Sequence, residues 1–227
     1  MNDIYRSPES AVVRDRESAL ATNKVLRSTY LLLSATLLFS AACAGITMAL
    51  EVPPISPWIT IIGYIGLLFA THMNRNSMLG LFFVFALTGF MGATLGPIVS
   101  LYVQFLPNGG NLVMQALGGT GLIFVALSAY AIKTEKDFSF MSGFLTAGAV
   151  VLILSMIAGL VFNMPLVMLA VSAGFMIFSS ALILYQTGEI INGGETNYIS
   201  ATVTLYVSIY NLFTSLLHIL SSLGGDD

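Results

Sequence analysis

Residues 198–223 read YISATVTLYVSIYNLFTSLLHILSSL, and this stretch decides the fold of the chain. It contains no Asp, Glu, Lys or Arg, and it is longer than the about 20 apolar residues that an α-helix needs to cross a bilayer. It therefore predicts a transmembrane helix. Its polar residues recur every three or four positions, a spacing that places them on one helix face. They are Ser200, Thr204, Ser208, Asn211, Ser215, His218 and Ser222.

This polar stripe predicts where the helix lies in the protein. If the stripe faced lipid, its hydrogen-bonding groups would have no partners. We therefore expect other helices to enclose this one, or at least the stripe to turn inward. Two interpretations of the stripe remain open. Small hydroxyl residues stabilise contacts between membrane helices, whereas the larger Asn211 and His218 favour a polar cavity or an ion path.

Six further apolar segments precede this one, near residues 30–50, 57–72, 78–106, 112–132, 138–161 and 165–186. The second is short for a membrane span. Of the 227 residues, 56% are hydrophobic and 8% are charged, against about 25% charged in soluble domains. The chain is therefore predicted to be an all-α integral membrane protein with seven transmembrane helices. Its expected parts are an N-terminal tail (1–27), a transmembrane domain (28–223) and a short C-terminal tail (224–227).

The basic residues predict the orientation of the seven helices. All eight Lys and Arg residues lie in the tail and in the second-to-third and fourth-to-fifth connections, which share one side of a seven-helix protein. The connections at 51–56, 107–111 and 162–164 carry none. Because cytoplasmic loops are rich in Lys and Arg, we expect the N-terminus in the cytoplasm and the C-terminus on the other side of the membrane.

Several function classes are excluded or disfavoured by composition. The net charge of -3 does not suggest a nucleic-acid partner. Cys43 is the single cysteine and cannot form an intramolecular disulfide. No nucleophile, histidine and carboxylate are plausibly placed together, and no ionisable residue except His218 lies well inside a predicted span. The sequence therefore predicts no catalytic residue, no cofactor and no metal site. His72, near Arg75, is most simply an interfacial residue.

Four short motifs carry a family resemblance. They are TGFMGATLGPI at 88–98, ALGGT at 116–120, KDFSF at 136–140 and GGETNYI at 193–199. With the runs at 128–130, 205–206 and 210–213, they resemble the Bax-inhibitor-1 (TMBIM) family over about residues 20 to 223. Within that family the chain looks most similar to the bacterial YccA-like branch.

The resemblance implies a fold, a location and two activities. The fold is a central seventh helix surrounded by six, in a bacterial inner membrane and with a periplasmic C-terminus. The YccA-like branch binds and restrains the membrane-anchored AAA+ protease FtsH, for which the N-terminal tail serves as a handle. Other family members leak calcium through a pore that is gated by two aspartates at the cytoplasmic end of helices six and seven.

Neither of those aspartates is present here. Gln186 occupies the first position, within Tyr185-Gln186-Thr187, and Ser208 occupies the second, in the run that begins at Leu205. Neither side chain titrates near neutral pH, and calcium prefers several oxygen ligands, usually including carboxylates. The leading hypothesis is therefore a non-enzymatic regulator of membrane-protein quality control that binds FtsH. The alternative is a calcium or cation leak channel with an altered gate at Gln186 and Ser208.

Overall fold

The structure is a computed structural model that describes the backbone of residues 8–134 and 136–224, and side chains from residue 22 onward. The described residues form seven α-helices and a short 3-10 helix before the fifth. The α-helices are α1 (Pro8–Ala49), α2 (Pro57–Asn74), α3 (Met78–Phe105), α4 (Gly109–Thr134), α5 (Ser142–Val161), α6 (Pro165–Ile191) and α7 (Tyr198–Leu223).

The prediction of an all-α membrane protein is confirmed. Within the described residues, six helices are long and apolar enough to span a bilayer, namely all except α2. The 18 residues of α2 rise about 27 Å, close to the about 30 Å of a bilayer core. Its polar end at His72 and Asn74 lowers its mean hydropathy. In the sequence, too, this segment is short for a membrane span.

The limits of the tail stay a prediction. α1 continues without a break through the predicted boundary at residue 27. Residues 1–7 and 225–227 lie outside the described residues.

The C-terminal end of α6 differs from its predicted position. The sequence predicted a sixth segment that ends near residue 186, but the helix continues to Ile191. The ring of Phe138 packs against the bare Cα of Gly188, so this glycine serves a close helix contact rather than a turn. The helix ends at Ile191, and two residues later Gly193 adopts a φ of 76°, the left-handed conformation that glycine accepts most readily.

α7 lies in the interior of the bundle. It packs directly against α1, α3, α4 and α6, whereas α2 packs mainly on α3 and α5 mainly on α6. No residue from 199 to 221 is exposed. Leu205 and Leu212, which point away from the polar stripe, are fully buried as well. The expectation of a central seventh helix is confirmed, and the innermost layer around it consists of four helices.

α1 and α3 approach each other backbone to backbone. A Cβ added to Gly92 would overlap the backbone oxygen of Ser40, and one added to Gly96 would overlap the backbone oxygen of Ala44. These two glycines form the GxxxG spacing that lets membrane helices approach closely. Their partner is α1, so α1 is held against the bundle by backbone-to-backbone contact in its second half.

Tyr206 connects this pair to α7. Its side chain is almost fully buried, and its hydroxyl donates to the backbone oxygen of Thr88 on α3 at 3.2 Å. The Ser40 hydroxyl on α1 lies 2.6 Å from the Tyr206 hydroxyl oxygen. Because the tyrosine proton is directed to Thr88, Ser40 is the donor in this second bond. One side chain thus joins three helices at membrane depth, where water does not compete for its hydrogen bonds.

Candidate functional site

Gln186 and Ser208, at the positions where other members of the family that the chain resembles carry aspartates, are both buried. Gln186 is 6% exposed and Ser208 is 0% exposed. The Ser208 hydroxyl donates to the backbone oxygen of Thr204, one turn earlier, at 2.7 Å. The amide nitrogen of Gln186 has no hydrogen-bond partner. The amide therefore does not donate to Ser208, and no hydrogen bond joins these two side chains.

Gln186 is one of four buried polar groups that lack a partner among the described residues. The others are hydroxyls on α1, α4 and α6, namely those of Thr29, Ser128 and Ser179. Leaving such a group unpaired costs about 1–3 kcal/mol. A native bundle tolerates that cost at few positions, and Gln186 carries the largest of these four side chains.

The other residues of the polar stripe lie in two kinds of environment. Thr204 donates to its own helix, at the backbone oxygen of Ser200, 3.1 Å away, and Ser215 is buried. Such back-bonded or buried hydroxyls behave as packing residues. Asn211 instead borders a cavity of about 360 Å³ that is lined by α2, α3, α5, α6 and α7. The stripe therefore contains packing residues, while the cavity beside Asn211 is lined mainly by apolar side chains, and the polar cavity or ion path stays a prediction.

His218 fastens α7 to α6. Its Nδ1 lies 2.7 Å from the hydroxyl oxygen of Ser172, and that hydroxyl also lies 3.0 Å from the backbone oxygen of Met168. Ser172 has a single proton. Because Ser172 donates this proton to the backbone oxygen of Met168, the bond between Ser172 and His218 must be donated by an N–H at Nδ1 of His218. His218 thus has a helix-joining contact near the end of α7 opposite to the tail.

Among the described residues, no three His, Cys, Asp or Glu side chains come together in a way that could hold a metal ion. The carboxylates nearest to the end of α6 are that of Glu189, in the last turn of the helix, and those of Asp137 and Glu195, in connections between helices. In the connection before α5, the backbone N–H of Ser139 donates to Asp137 at 2.7 Å and holds the pKa of that carboxyl below its ordinary value. The residues at Gln186 and Ser208 offer calcium neutral oxygens only.

Asn197 was not singled out from the sequence, yet it organises the end of the bundle nearest to the tail. It is the N-cap of α7, and its side-chain oxygen accepts from the backbone N–H groups of Ile199 and Ser200. Its side-chain nitrogen donates to the backbone oxygen of Arg75 at 3.1 Å and to Asn76 at 2.7 Å. The signal was an asparagine directly before a helical run, which is typical of an N-cap.

Replacing Asn197 with alanine should lower stability by about 1–2 kcal/mol through the lost cap, and further through the lost bonds to the α2–α3 connection. Aspartate at this position is the matched control, because it keeps the capping oxygen and replaces the nitrogen donor with a charged oxygen, which the N-terminus of α7 accepts. We expect the order wild type, Asn197→Asp, Asn197→Ala in unfolding temperature, measured in detergent. Equal temperatures for wild type and Asn197→Asp would contradict a role for the Arg75 and Asn76 bonds, and equal temperatures for the two variants would contradict a role for the cap.

Further contacts join the helices at this same end. The Asn192 side chain donates to the backbone oxygen of Lys136 at 3.2 Å, and the Thr202 hydroxyl lies 3.3 Å from the backbone oxygen of Thr29. Tyr30 of α1 lies within 3.4 Å of Thr187 of α6. The end of the bundle nearest to the tail is therefore closed by hydrogen bonds between α1, α6, α7 and two connections.

Comparison with known proteins places this bundle in a family. A family model described as "Inhibitor of apoptosis-promoting Bax1" matches residues 22–225. The chain belongs to this family. It is 48% identical over 206 residues to the Modulator of FtsH protease YccA of Escherichia coli K12, which covers 91% of this chain and 93% of that protein. An uncharacterized protein of Pseudomonas aeruginosa is 52% identical over 96% of both chains.

These comparisons confirm the family resemblance and the coarser predictions built on it. A relative from Escherichia coli O6:H1, also 48% identical, is named Inner membrane protein YccA. Together with six helices suited to membrane spans, this identifies the chain as a multi-pass inner membrane protein. The named relatives are a protease modulator and a membrane protein, in agreement with a non-enzymatic role.

Proposed function

We propose that this chain binds the membrane-anchored AAA+ protease FtsH and restrains it, as a non-enzymatic regulator of membrane-protein quality control. The observation that carries the proposal is the 48% identity, over nearly the whole of both chains, to a protein named for modulating FtsH. The absence of both gating carboxylates, at Gln186 and Ser208, supports this regulator over a calcium leak channel.

The proposed orientation places the N-terminal tail in the cytoplasm and the C-terminus in the periplasm. Five of the eight basic residues lie in the tail. The remaining three, Arg75, Lys133 and Lys136, lie at or beside connections that Asn197 and Asn192 join to the α6–α7 connection. The basic connections therefore share one end of the bundle, which supports a single cytoplasmic face.

The fold suggests how a gripped tail restrains the protease. AAA+ proteases pull on a segment of their substrate, and force applied to the tail passes directly into α1, because tail and span form one helix from Pro8. α1 is then held by its close packing on Gly92 and Gly96 and by the bond between Ser40 and Tyr206. A protease that has engaged the tail thus meets a helix that resists extraction, and remains occupied.

Deleting residues 1–21 should weaken capture of FtsH by about tenfold or more, because the protease loses the segment that it grips. The measurement is co-purification of FtsH with the tagged chain in mild detergent. A chain with residues 1–21 in scrambled order, and so of equal length and charge, shows whether the tail is read as a sequence or only as an accessible charged segment. Undiminished capture after the deletion, by a chain that still folds, would rule out the tail as the handle.

A further inference from the structure

A cleft of about 340 Å³ separates the ends of α2 and α7 that lie nearest to the tail. It exists because α2 packs on α3 and leaves its C-terminal end apart from α7. The polar lining comes from both helices: Arg75 and His72 on the α2 side, and Ser200 and Thr204 on the α7 side. The proposed FtsH binding does not use these four residues.

Arg75 carries the positive charge of this cleft. It is half-buried. Within the described part of the chain, no carboxylate oxygen lies within 4.0 Å of its guanidinium nitrogens, the distance that defines an ion pair. Its backbone oxygen accepts from Asn197, and among the described residues its guanidinium has no carboxylate partner. A partly buried guanidinium gains most from an acceptor with two oxygens, such as a phosphate or a carboxylate.

The neighbouring groups add donors and no negative charge. His72 has a ring N–H to donate in either protonation state. The Thr204 hydroxyl donates to the backbone of its own helix. The Ser200 hydroxyl makes no hydrogen bond within the described structure. The polar end of the cleft thus offers three donor side chains of two helices to one anion.

The other end of the cleft is apolar and opens to the bilayer. It is lined by Ile65, Leu68 and Phe69, of which Ile65 is 56% and Phe69 is 65% exposed. In a membrane helix such exposed apolar side chains face lipid tails. The donors therefore sit at the membrane surface and an apolar wall continues from them into the bilayer, which matches a molecule with a charged head and a hydrocarbon chain.

We propose that this cleft binds an anionic phospholipid of the leaflet on the tail's side. The phosphate lies against Arg75, His72 and Ser200, and an acyl chain runs along Ile65 and Phe69. The same donors fit inorganic phosphate, but a free anion makes no use of the apolar wall. The lipid is therefore expected to bind and free phosphate is not expected to replace it.

The test compares how much phosphatidylglycerol and phosphatidylethanolamine the purified chain retains, by native mass spectrometry from mixed nanodiscs. Arg75→Gln should lower phosphatidylglycerol retention roughly fivefold, the effect of one basic side chain near an anionic surface. Lys133→Gln is the matched control, because it removes one exposed basic residue from the same end of the bundle. It should leave retention unchanged.

Two further arms keep the proposal testable if Arg75→Gln fails to fold. Ser200→Leu leaves every charge in place and fills the cleft from the α7 side, so it should also lower phosphatidylglycerol retention. Excess inorganic phosphate should not displace the lipid. Equal retention by Arg75→Gln and Lys133→Gln, unchanged retention by Ser200→Leu, or full displacement by inorganic phosphate would each overturn the assignment.

Discussion

Replacing Gly96 with valine should separate α1 from α3 and convert a stable chain into one that FtsH degrades rapidly. The added side chain would overlap the backbone of Ala44 and the hydroxyl of Thr47. Backbone atoms cannot rotate away as a flexible side chain can, so the helices must move apart. Overpacking of this kind costs about 3 kcal/mol or more, and here it also weakens the hold on the helix that the protease is proposed to pull.

Gly118→Val is the matched control for this experiment. Gly118 also lies inside a transmembrane helix, but a Cβ added there meets no atom within 4 Å. The two variants share the loss of a glycine inside a transmembrane helix, and the Gly96 variant adds the contact with α1 and a side chain directly before Pro97. Unfolding temperature in detergent and half-life in cells with active FtsH are the measurements. If the Gly96 variant were as stable and as long-lived as the Gly118 variant, the close α1–α3 contact would not be what holds α1.

Replacing Gln186 and Ser208 together with aspartate should raise calcium flux roughly tenfold above that of the wild-type chain, because calcium binding depends strongly on the number of charged ligands. The double change to asparagine is the control, because asparagine has nearly the same shape and cannot change its protonation state. Calcium entry into proteoliposomes with a trapped indicator measures the effect.

The pH dependence of this flux separates the two pairs. Flux through the aspartate pair should change with pH between about 6 and 8, where buried carboxylates can change their charge, and flux through the asparagine pair should not. Equal flux through both pairs would contradict a carboxylate gate at these positions. Wild-type flux equal to that of the aspartate pair would favour the leak channel over the proposed regulator.

The helices and the interior position of α7 could be predicted from the sequence because both follow from local rules. Apolar length and proline positions define the spans, and α7 runs over the residues that its uncharged stretch predicted, Tyr198–Leu223. The polar stripe predicted burial. α6 was predicted too short, because the polar character of Gly188 and Glu189 suggested a loop, while packing of Phe138 on Gly188 keeps the segment helical.

The contacts between helices could not be predicted in the same way. Nothing in the local sequence of Tyr206 indicates that its hydroxyl reaches Thr88 and Ser40, or that Asn197 holds the α2–α3 connection at Arg75. These bonds depend on the relative height and rotation of helices that are far apart in sequence. The same holds at Gln186, whose buried amide nitrogen has no partner among the described residues, and at Ser208, whose hydroxyl donates to its own helix.

The proposal that the chain restrains FtsH is tested most directly by reconstituting both proteins in proteoliposomes with an unrelated membrane protein as the protease substrate. The measured quantity is the initial rate of substrate degradation at increasing ratios of this chain to FtsH. The rate should fall as the ratio rises, and the chain that lacks residues 1–21 should slow it much less. A degradation rate that stays constant at every ratio, with the chain shown to be folded, would contradict the proposed function.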